Sequence, residues 1–294
     1  MTFPLMGAVE LGGTKINVAV GTGPGALLAS AKIPTTSPEQ TLAAVIEFFR
    51  KQPALTAIGI GSFGPVCLDP AAPEWGSITQ TPKPGWAHTQ VATTIRDAMN
   101  VPVAFDTDVN AAALGEYRWG ALAGCQTGLY LTVGTGIGGG IIIDGRPHHG
   151  MIHPEFGHVR VKRSAGDDFA GTCPYHGDCA EGLASGTAIA ARLGRSLSEG
   201  DPDDPQHRFV YDALGQALAT YVLTVSPHRI VVGGGVSEAP GFHEALRVSM
   251  GRWLAGYIDA PQIADQNYIV PPKFIGKAGV LGAIAMALDL SAVR

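Results

Sequence analysis

The sequence predicts an α/β fold built as two related domains. Three observations carry this expectation: the chain opens with short strands joined by glycine-rich turns, helix and strand patterns alternate after them, and a second glycine-turned hairpin recurs near the middle. In chain order, residues 7–11, 16–20 and 27–32 read as an antiparallel meander, turned by Gly12-Gly13 and by 21–25. Residues 37–51 have helical spacing, with Ser37 placed to cap the helix and Pro38 in its first turn, and 56–61 returns as a buried strand. Residues 65–87, rich in Pro, Gly and Thr, read as a long loop. Helix 89–99, strand 101–105 and helix 109–118 follow.

The second half repeats the plan. Residues 128–133 and 139–143 read as strands around Gly134-Thr135-Gly136-Ile137-Gly138. Residues 186–197 and 208–225 are helical in period, 229–232 is a buried strand ending in Gly233-Gly234-Gly235, and 240–257 is helical again. The expected division is an N-terminal domain over 1–115 and a C-terminal domain over 116–294, with a last helix at about 279–290 folding back on the first.

Composition narrows the function. A chain of 294 residues with 46% hydrophobic residues can fill one large core or two smaller ones. A net charge of −5 and a pI near 6.0 argue against a polyanion surface, so nucleic acid is not an expected partner. The longest apolar stretch, 280–290, is too short and interrupted to cross a bilayer, so no membrane partner is expected. Four cysteines and no secretory pattern at the N-terminus fit a reduced, cytoplasmic protein.

Ligand-type residues then cluster. His158 is followed after fourteen residues by Cys173, and Cys173, His176 and Cys179 follow at two-residue gaps, a set that suits four tetrahedral ligands of Zn²⁺. Two thiolates and two imidazoles close the shell, which fits a structural site and leaves no open position for a zinc-dependent hydrolase. A Cys173–Cys179 disulfide, a loop holding no metal, and His153 in place of His158 remain as alternatives.

The two glycine turns leave amide groups unshielded, so Gly12, Gly13 and Thr14 can hold one phosphate and Gly134, Thr135 and Gly136 another. Each turn alone could equally be a plain tight hairpin. Gly134 to Gly139 also matches a dinucleotide fingerprint, but Ile141-Ile142-Ile143 follows where that fingerprint needs a helix. Asp106, Asp108 and Asn110 fall between a strand end and a helix start, a usual address for ligand-facing groups. Asp108 there can accept a hydroxyl proton, or can merely cap the helix.

These motifs together resemble those of the ROK sugar kinases: Glu10-Leu-Gly-Gly-Thr-Lys15, Thr107-Asp108-Val-Asn110, Gly134 to Gly139, Glu155-Phe-Gly-His158, the Cys/His cluster, Glu181 to Gly186 and Val232 to Val236. Gly61-Ser-Phe-Gly-Pro65 and Ile78 to Trp86 are similar to the bacterial fructokinase branch, and the likeness covers nearly the whole chain. The resemblance implies an actin-like ATPase (ribonuclease H-like) α/β fold of two domains around a central cleft, and ATP-dependent phosphorylation of a hexose, D-fructose first, with glucose or mannose as alternatives. It implies Asp108 as general base, Asn110, Glu155, His158 and Glu181 on sugar hydroxyls, and His158, Cys173, His176 and Cys179 on zinc. Gly12, Gly13, Thr14, Lys15, Gly134, Thr135 and Gly136 fall to phosphate, and Gly233, Gly234 and Gly235 to the adenosine, with Mg²⁺ accompanying the nucleotide. Relatives are commonly homodimers. Lys83 and Trp86 are expected to shape the sugar pocket.

Two departures stand out. Glu10 replaces the Asp found in most of the family, and His176 replaces the middle cysteine of the commoner zinc set. The family also includes sugar-responsive repressors, which carry an added N-terminal helix-turn-helix segment. With a first strand beginning by about Gly7, this chain is expected to be a kinase and not a regulator.

Overall fold

Apolar residues spaced two apart at the start of the chain become Met6–Leu11 (β1), Lys15–Gly21 (β2) and Leu27–Pro34 (β3), paired antiparallel in order. In β3 half-buried and exposed positions alternate, as expected of an edge strand with one wet face. The computed structural model describes residues 4–200 and 204–292. Pro38–Arg50 (α1) starts where Ser37 Oγ accepts from the Gln40 N–H at 3.4 Å, with Pro38 in the first turn. Ala57–Ser62 (β4) is buried throughout, which suits a parallel strand covered on both faces. Ala92–Met99 (α2), Val103–Thr107 (β5) and Asp108–Trp119 (α3) follow.

Thr127–Val133 (β6), Ile137–Ile143 (β7) and Arg146–Pro147 (β8) open the second sheet. Ala180–Ala184 (α4), Gly186–Leu193 (α5) and His207–Val225 (α6) come next. Arg229–Gly233 (β9), Phe242–Leu254 (α7), Ile269–Val270 (β10) and Ala278–Ala292 (α8) complete the order. The first sheet runs β3-β2-β1-β4-β5 and the second β10-β9-β6-β7-β8. Read from its own first strand, each sheet has the same arrangement, two hairpin strands on one side and two later strands on the other. The repeated glycine-turned hairpin thus reports a repeated topology. β4 and β5 are parallel to the strands they follow, as are β9 and β10.

The chain forms two compact units, one of Met1–Ala123, Gly140–Pro154 and Gly276–Arg294, the other of Gly124–Gly139 and Glu155–Ile275. In the first unit, α8 packs on α3, β1 and β4. The approach is backbone to backbone: a Cβ at Gly282 would lie 1.6 Å from Ala111 O, and one at Gly59 1.9 Å from Ala283 O. Nothing larger than hydrogen fits at these crossings, so α8 clamps the β5–α3 turn that carries Asp106, Asp108 and Asn110.

Within residues 65–90 the only described regular pairings are single bridges, Val66 with Ile78 and Ser77 with Gln90. Trp86, expected to shape the sugar pocket, is fully buried, with Nε1 donating to Thr36 O at 2.9 Å and the ring edge-on to Phe63. A large ring with one polar atom anchors the long loop to the core once that atom finds a backbone acceptor. Lys83 remains partly exposed.

In the second unit α6 and α7 pack together, and Asp212 on α6 accepts from Trp253 Nε1 at 2.7 Å and pairs with Arg252. Tyr221 on α6 donates its hydroxyl to Phe156 O and stacks edge-on against the Phe156 ring, fixing the short turn that carries His158. Among the described residues no helix is long and apolar enough to cross a membrane.

Candidate functional site

In the first unit the polar residues gather where β5 gives way to α3. Thr107, not either aspartate, caps the helix: its Oγ1 accepts from the Asn110 N–H at 3.1 Å. Asp108, at the first helical position and only partly buried, adds a second bond at the helix start, where its Oδ1 accepts from Val109 N–H at 2.9 Å. Asp106, 5% exposed, accepts from Thr107 N–H and from Asn110 Nδ2, each at 2.7 Å. Its second oxygen accepts from His149 Nε2 at 2.9 Å, and that same nitrogen lies 3.3 Å from Asn110 Nδ2. The Asp106 carboxylate holds the His149 imidazole above its usual basicity, against an opposing effect of burial.

Asn110 is 1% exposed, and its Oδ1 has no hydrogen-bond partner among the described residues. Buried polar atoms in folded chains are nearly always paired, so an unpaired amide oxygen at this address is a functional signal; leaving one so costs about 1–3 kcal/mol.

His149 also lines a groove of about 590 Å³ together with Pro65, Val66, Thr79 and Ile152, a volume within the range of small-molecule sites. His153 lies in the same segment, but its Nε2 accepts from the Val66 N–H at 3.1 Å and it stands outside the group of metal-type ligands.

The first glycine turn is tight. Gly12 N–H donates to Lys15 O at 3.2 Å, while Thr35 takes Gly12 O through its hydroxyl and Thr14 O through its amide. A Cβ at Gly13 would meet nothing within 4 Å, whereas one at Gly12 would lie 2.7 Å from Lys15 O. Glu10, just before the turn, accepts from Asn17 Nδ2 at 2.8 Å and from the Val280 N–H in the first turn of α8. Burial pushes its carboxyl above the ordinary value, offset in part by Asn17, Lys15 and Val280. The longer side chain is thus committed to the start of α8.

In the second unit the turn Gly134–Gly136 rests on two supports. Gly186 and Thr187, opening α5, bind Gly134 O and Thr135 O. The Glu181 carboxylate accepts from Ile137 N–H at 2.9 Å. Gly134 has open space where a Cβ would stand, and so has Gly235. Gly234 has φ of +88°, and a Cβ there would lie 2.4 Å from Val133 O, so only glycine fits without strain.

His158, Cys173, His176 and Cys179 present ligand atoms all within 4.8 Å of one another. His158 Nδ1 stands 3.7 Å from Cys173 Sγ and 3.6 Å from Cys179 Sγ, and His176 Nδ1 stands 3.6 Å from Cys173 Sγ. A zinc tetrahedron with Zn–S near 2.3 Å and Zn–N near 2.0 Å has N···S edges of about 3.6 Å, so this donor set fits the ion. Both cysteines are free thiols, which removes the disulfide alternative. Burial, with Cys173 alongside, pushes the Cys179 thiol up to about 11, as befits a ligand that needs a cation before it ionises. Ala180 N–H donates to Val159 O at 3.0 Å, tying the His158 end of the segment to the start of α4 and hence to Glu181.

Asp108 and Asn110 therefore share one turn in the first unit. Glu181 and the turn Gly134–Gly136 meet in the second, with His158 in the metal-type cluster and Glu155 just before it. Sequence reading missed His149, Asn17 and Thr35. Asn17 stands opposite Glu10 in the β1–β2 register and Thr35 continues the β2–β3 pairing, so hairpin register could have signalled both, whereas His149 meets Asp106 only through folding.

The chain matches the ROK family over residues 6–290. It is 43% identical to a fructokinase of Zymomonas mobilis, covering 97% of this chain and 96% of that one. Among solved structures it is similar to a ROK hexokinase of Thermus thermophilus, with TM-score 0.80 and 29% identity over 99% of this chain and 100% of the other. It is also similar to a ROK glucokinase of Streptomyces griseus solved with glucose and AMPPNP, with TM-score 0.75 and 28% identity over 98% and 100%.

Proposed function

We propose that this chain, which belongs to the ROK family, is an ATP-dependent fructokinase that converts D-fructose to fructose 6-phosphate. The observation that carries the reading is the likeness to the Zymomonas mobilis fructokinase along nearly the whole of both chains. The glucokinase with glucose and an ATP analogue supports the reaction class and keeps glucose as the second substrate to test.

Asp108 accepts the proton of the attacking hydroxyl as the new oxygen–phosphorus bond forms and the bond to the ADP oxygen breaks. Its place at the first helical position, partly exposed where β5 gives way to α3, supports this. Asn110, Glu155, His158 and Glu181 read sugar hydroxyls. His158 can serve both sets because its ring nitrogens are distinct: Nδ1 faces the thiols, which leaves Nε2 for a hydroxyl. Gly12, Gly13, Thr14, Lys15, Gly134, Thr135 and Gly136 contact phosphate, in keeping with the open space at Gly13 and Gly134. Gly233, Gly234 and Gly235 lie by the adenosine.

Mg²⁺ arrives with the nucleotide and neutralises its phosphates. Zn²⁺, held by His158, Cys173, His176 and Cys179, keeps their loop ordered and so sets Glu181 and His158 in place. The free thiols agree with a reducing cytoplasm, and a homodimer, to be read by light scattering, is the expected assembly.

A coupled assay of ADP release over fructose, mannose and glucose tests the reading. Fructose is expected to give the highest kcat/KM; a panel in which no hexose raises ADP release above the rate with ATP alone overturns it.

A further inference from the structure

We propose that His149 is a positioning residue of the hexose site, acting through Asp106 to hold the side-chain amide of Asn110 in the orientation that reads a sugar hydroxyl. The proposal rests on the kinase reading above, within which Asn110 is a sugar ligand.

Three side chains form one network. Asp106 is nearly buried and uses both carboxylate oxygens, one on Thr107 N–H and Asn110 Nδ2, the other on His149 Nε2. Asn110 is fixed at both ends of its short side chain. Its backbone N–H is spent on Thr107 Oγ1, and its Nδ2 on Asp106. On the Oδ1 side stands Gly140, where a Cβ would come within 2.8 Å of that oxygen and crowd it. The amide thus has one polar end committed and the other, Oδ1, unspent. A hydroxyl is a suitable partner for it, and an amide anchored in this way cannot exchange its donor and acceptor ends to suit a different ligand.

His149 completes the anchor. Without the imidazole, Asp106 Oδ2 loses its described donor, and Nδ2 of Asn110, 3.3 Å from the His149 ring nitrogen and already bonded to Oδ1, stands close enough to be drawn toward it. An amide drawn toward Oδ2 turns out of register with the sugar. The His149 side chain is itself 37% exposed at the wall of the groove beside residues 65–70. Its deletion therefore removes little packing, and what it changes is mainly the hydrogen bond.

The test is steady-state kinetics of the full chain and of His149→Ala and His149→Gln, with D-fructose and with single-deoxy fructoses that keep the C6 hydroxyl. His149→Ala is expected to raise the fructose KM about tenfold to a hundredfold, with kcat and the ATP KM within about twofold of the parent. The rise is expected to vanish for the one deoxy sugar that lacks the hydroxyl read by Asn110, and His149→Gln, which keeps a donor, to recover most of the loss. An unmoved fructose KM overturns the proposal. So does an equal loss against every analogue, or a parallel fall in kcat and rise in ATP KM, which would mark His149 as a pin for its loop. A parent chain that turns over no hexose overturns this and the kinase reading together, whereas turnover with any of the preceding results overturns this alone.

Discussion

The two polar clusters are built in opposite ways. Asp106 takes donors from Asn110 and His149 and needs no ion to do so, leaving Asn110 Oδ1 without a hydrogen-bond partner among the described residues. His158, Cys173, His176 and Cys179 point four ligand atoms at a common centre, with a buried thiol that does not ionise on its own. A network that supplies its own donors orients a side chain, while a set of converging ligands stores folding free energy in whatever binds it. The first should therefore respond to the loss of a donor, and the second to the loss of a metal.

The largest effect is expected beside the first cluster. Asp108→Asn should lower kcat by about 10²–10⁴ while bound zinc and Tm hold, since in the proposed mechanism the carboxylate takes the proton, whereas an amide oxygen can still accept from Val109 N–H. A kcat within threefold of the parent would reject Asp108 as base. Next comes Cys179→Ser, which should take bound zinc, read by atomic absorption, from one per chain toward none. The hexose KM should rise more than the ATP KM, because Glu181 lies just beyond the cluster. Full zinc retention in this variant would show that the four residues are not its ligands.

The glycines separate phosphate contact from backbone need. Gly13→Ala and Gly134→Ala, with room for a methyl, should leave Tm nearly unchanged and raise the ATP KM several-fold. Gly234→Ala should cost about 1–3 kcal/mol in urea unfolding, because its φ is positive and Val133 O blocks the methyl. Equal thermal losses in all three variants would dissolve the distinction.

The smallest effect is on stability against pH. Asp106 raises the His149 value above 6.5 in the folded chain, so folding favours the protonated ring. That stabilisation is complete below the unfolded value and is lost as pH rises through the higher folded one. The Tm gap between the parent and His149→Gln should therefore be wider at about pH 5.5 than at about pH 9. A gap that widens toward alkaline pH would contradict the ion pair.

Much of this was legible along the chain. The meander, α1 with its Ser37 cap, and the second glycine-turned hairpin follow from periods of two and 3.6 and from turn residues, all of which act within a few positions. The cluster Cys173, His176, Cys179 was legible for the same reason, since ligands two residues apart on one loop need no distant strand to bring them together. The burial of Trp86 was not legible because its chemistry suits a pocket wall as well as a core, and only folding brings its indole N–H to Thr36 O. Which aspartate caps α3 was likewise undecided until Thr107 was seen to do it.

By itself, then, the sequence determined the local elements, their repeated order, the metal-type cluster and the family to which the chain belongs. Only the tertiary structure decided that α8 closes on β4 and α3 through Gly59 and Gly282, that Glu10 spends its longer side chain at the start of α8, and that His149 joins Asp106 and Asn110. The physical reason is common to all three. These contacts join residues far apart in the chain, where periodicity and spacing carry no signal, and their partners are chosen by the packing of surfaces that exist only once the sheet has formed.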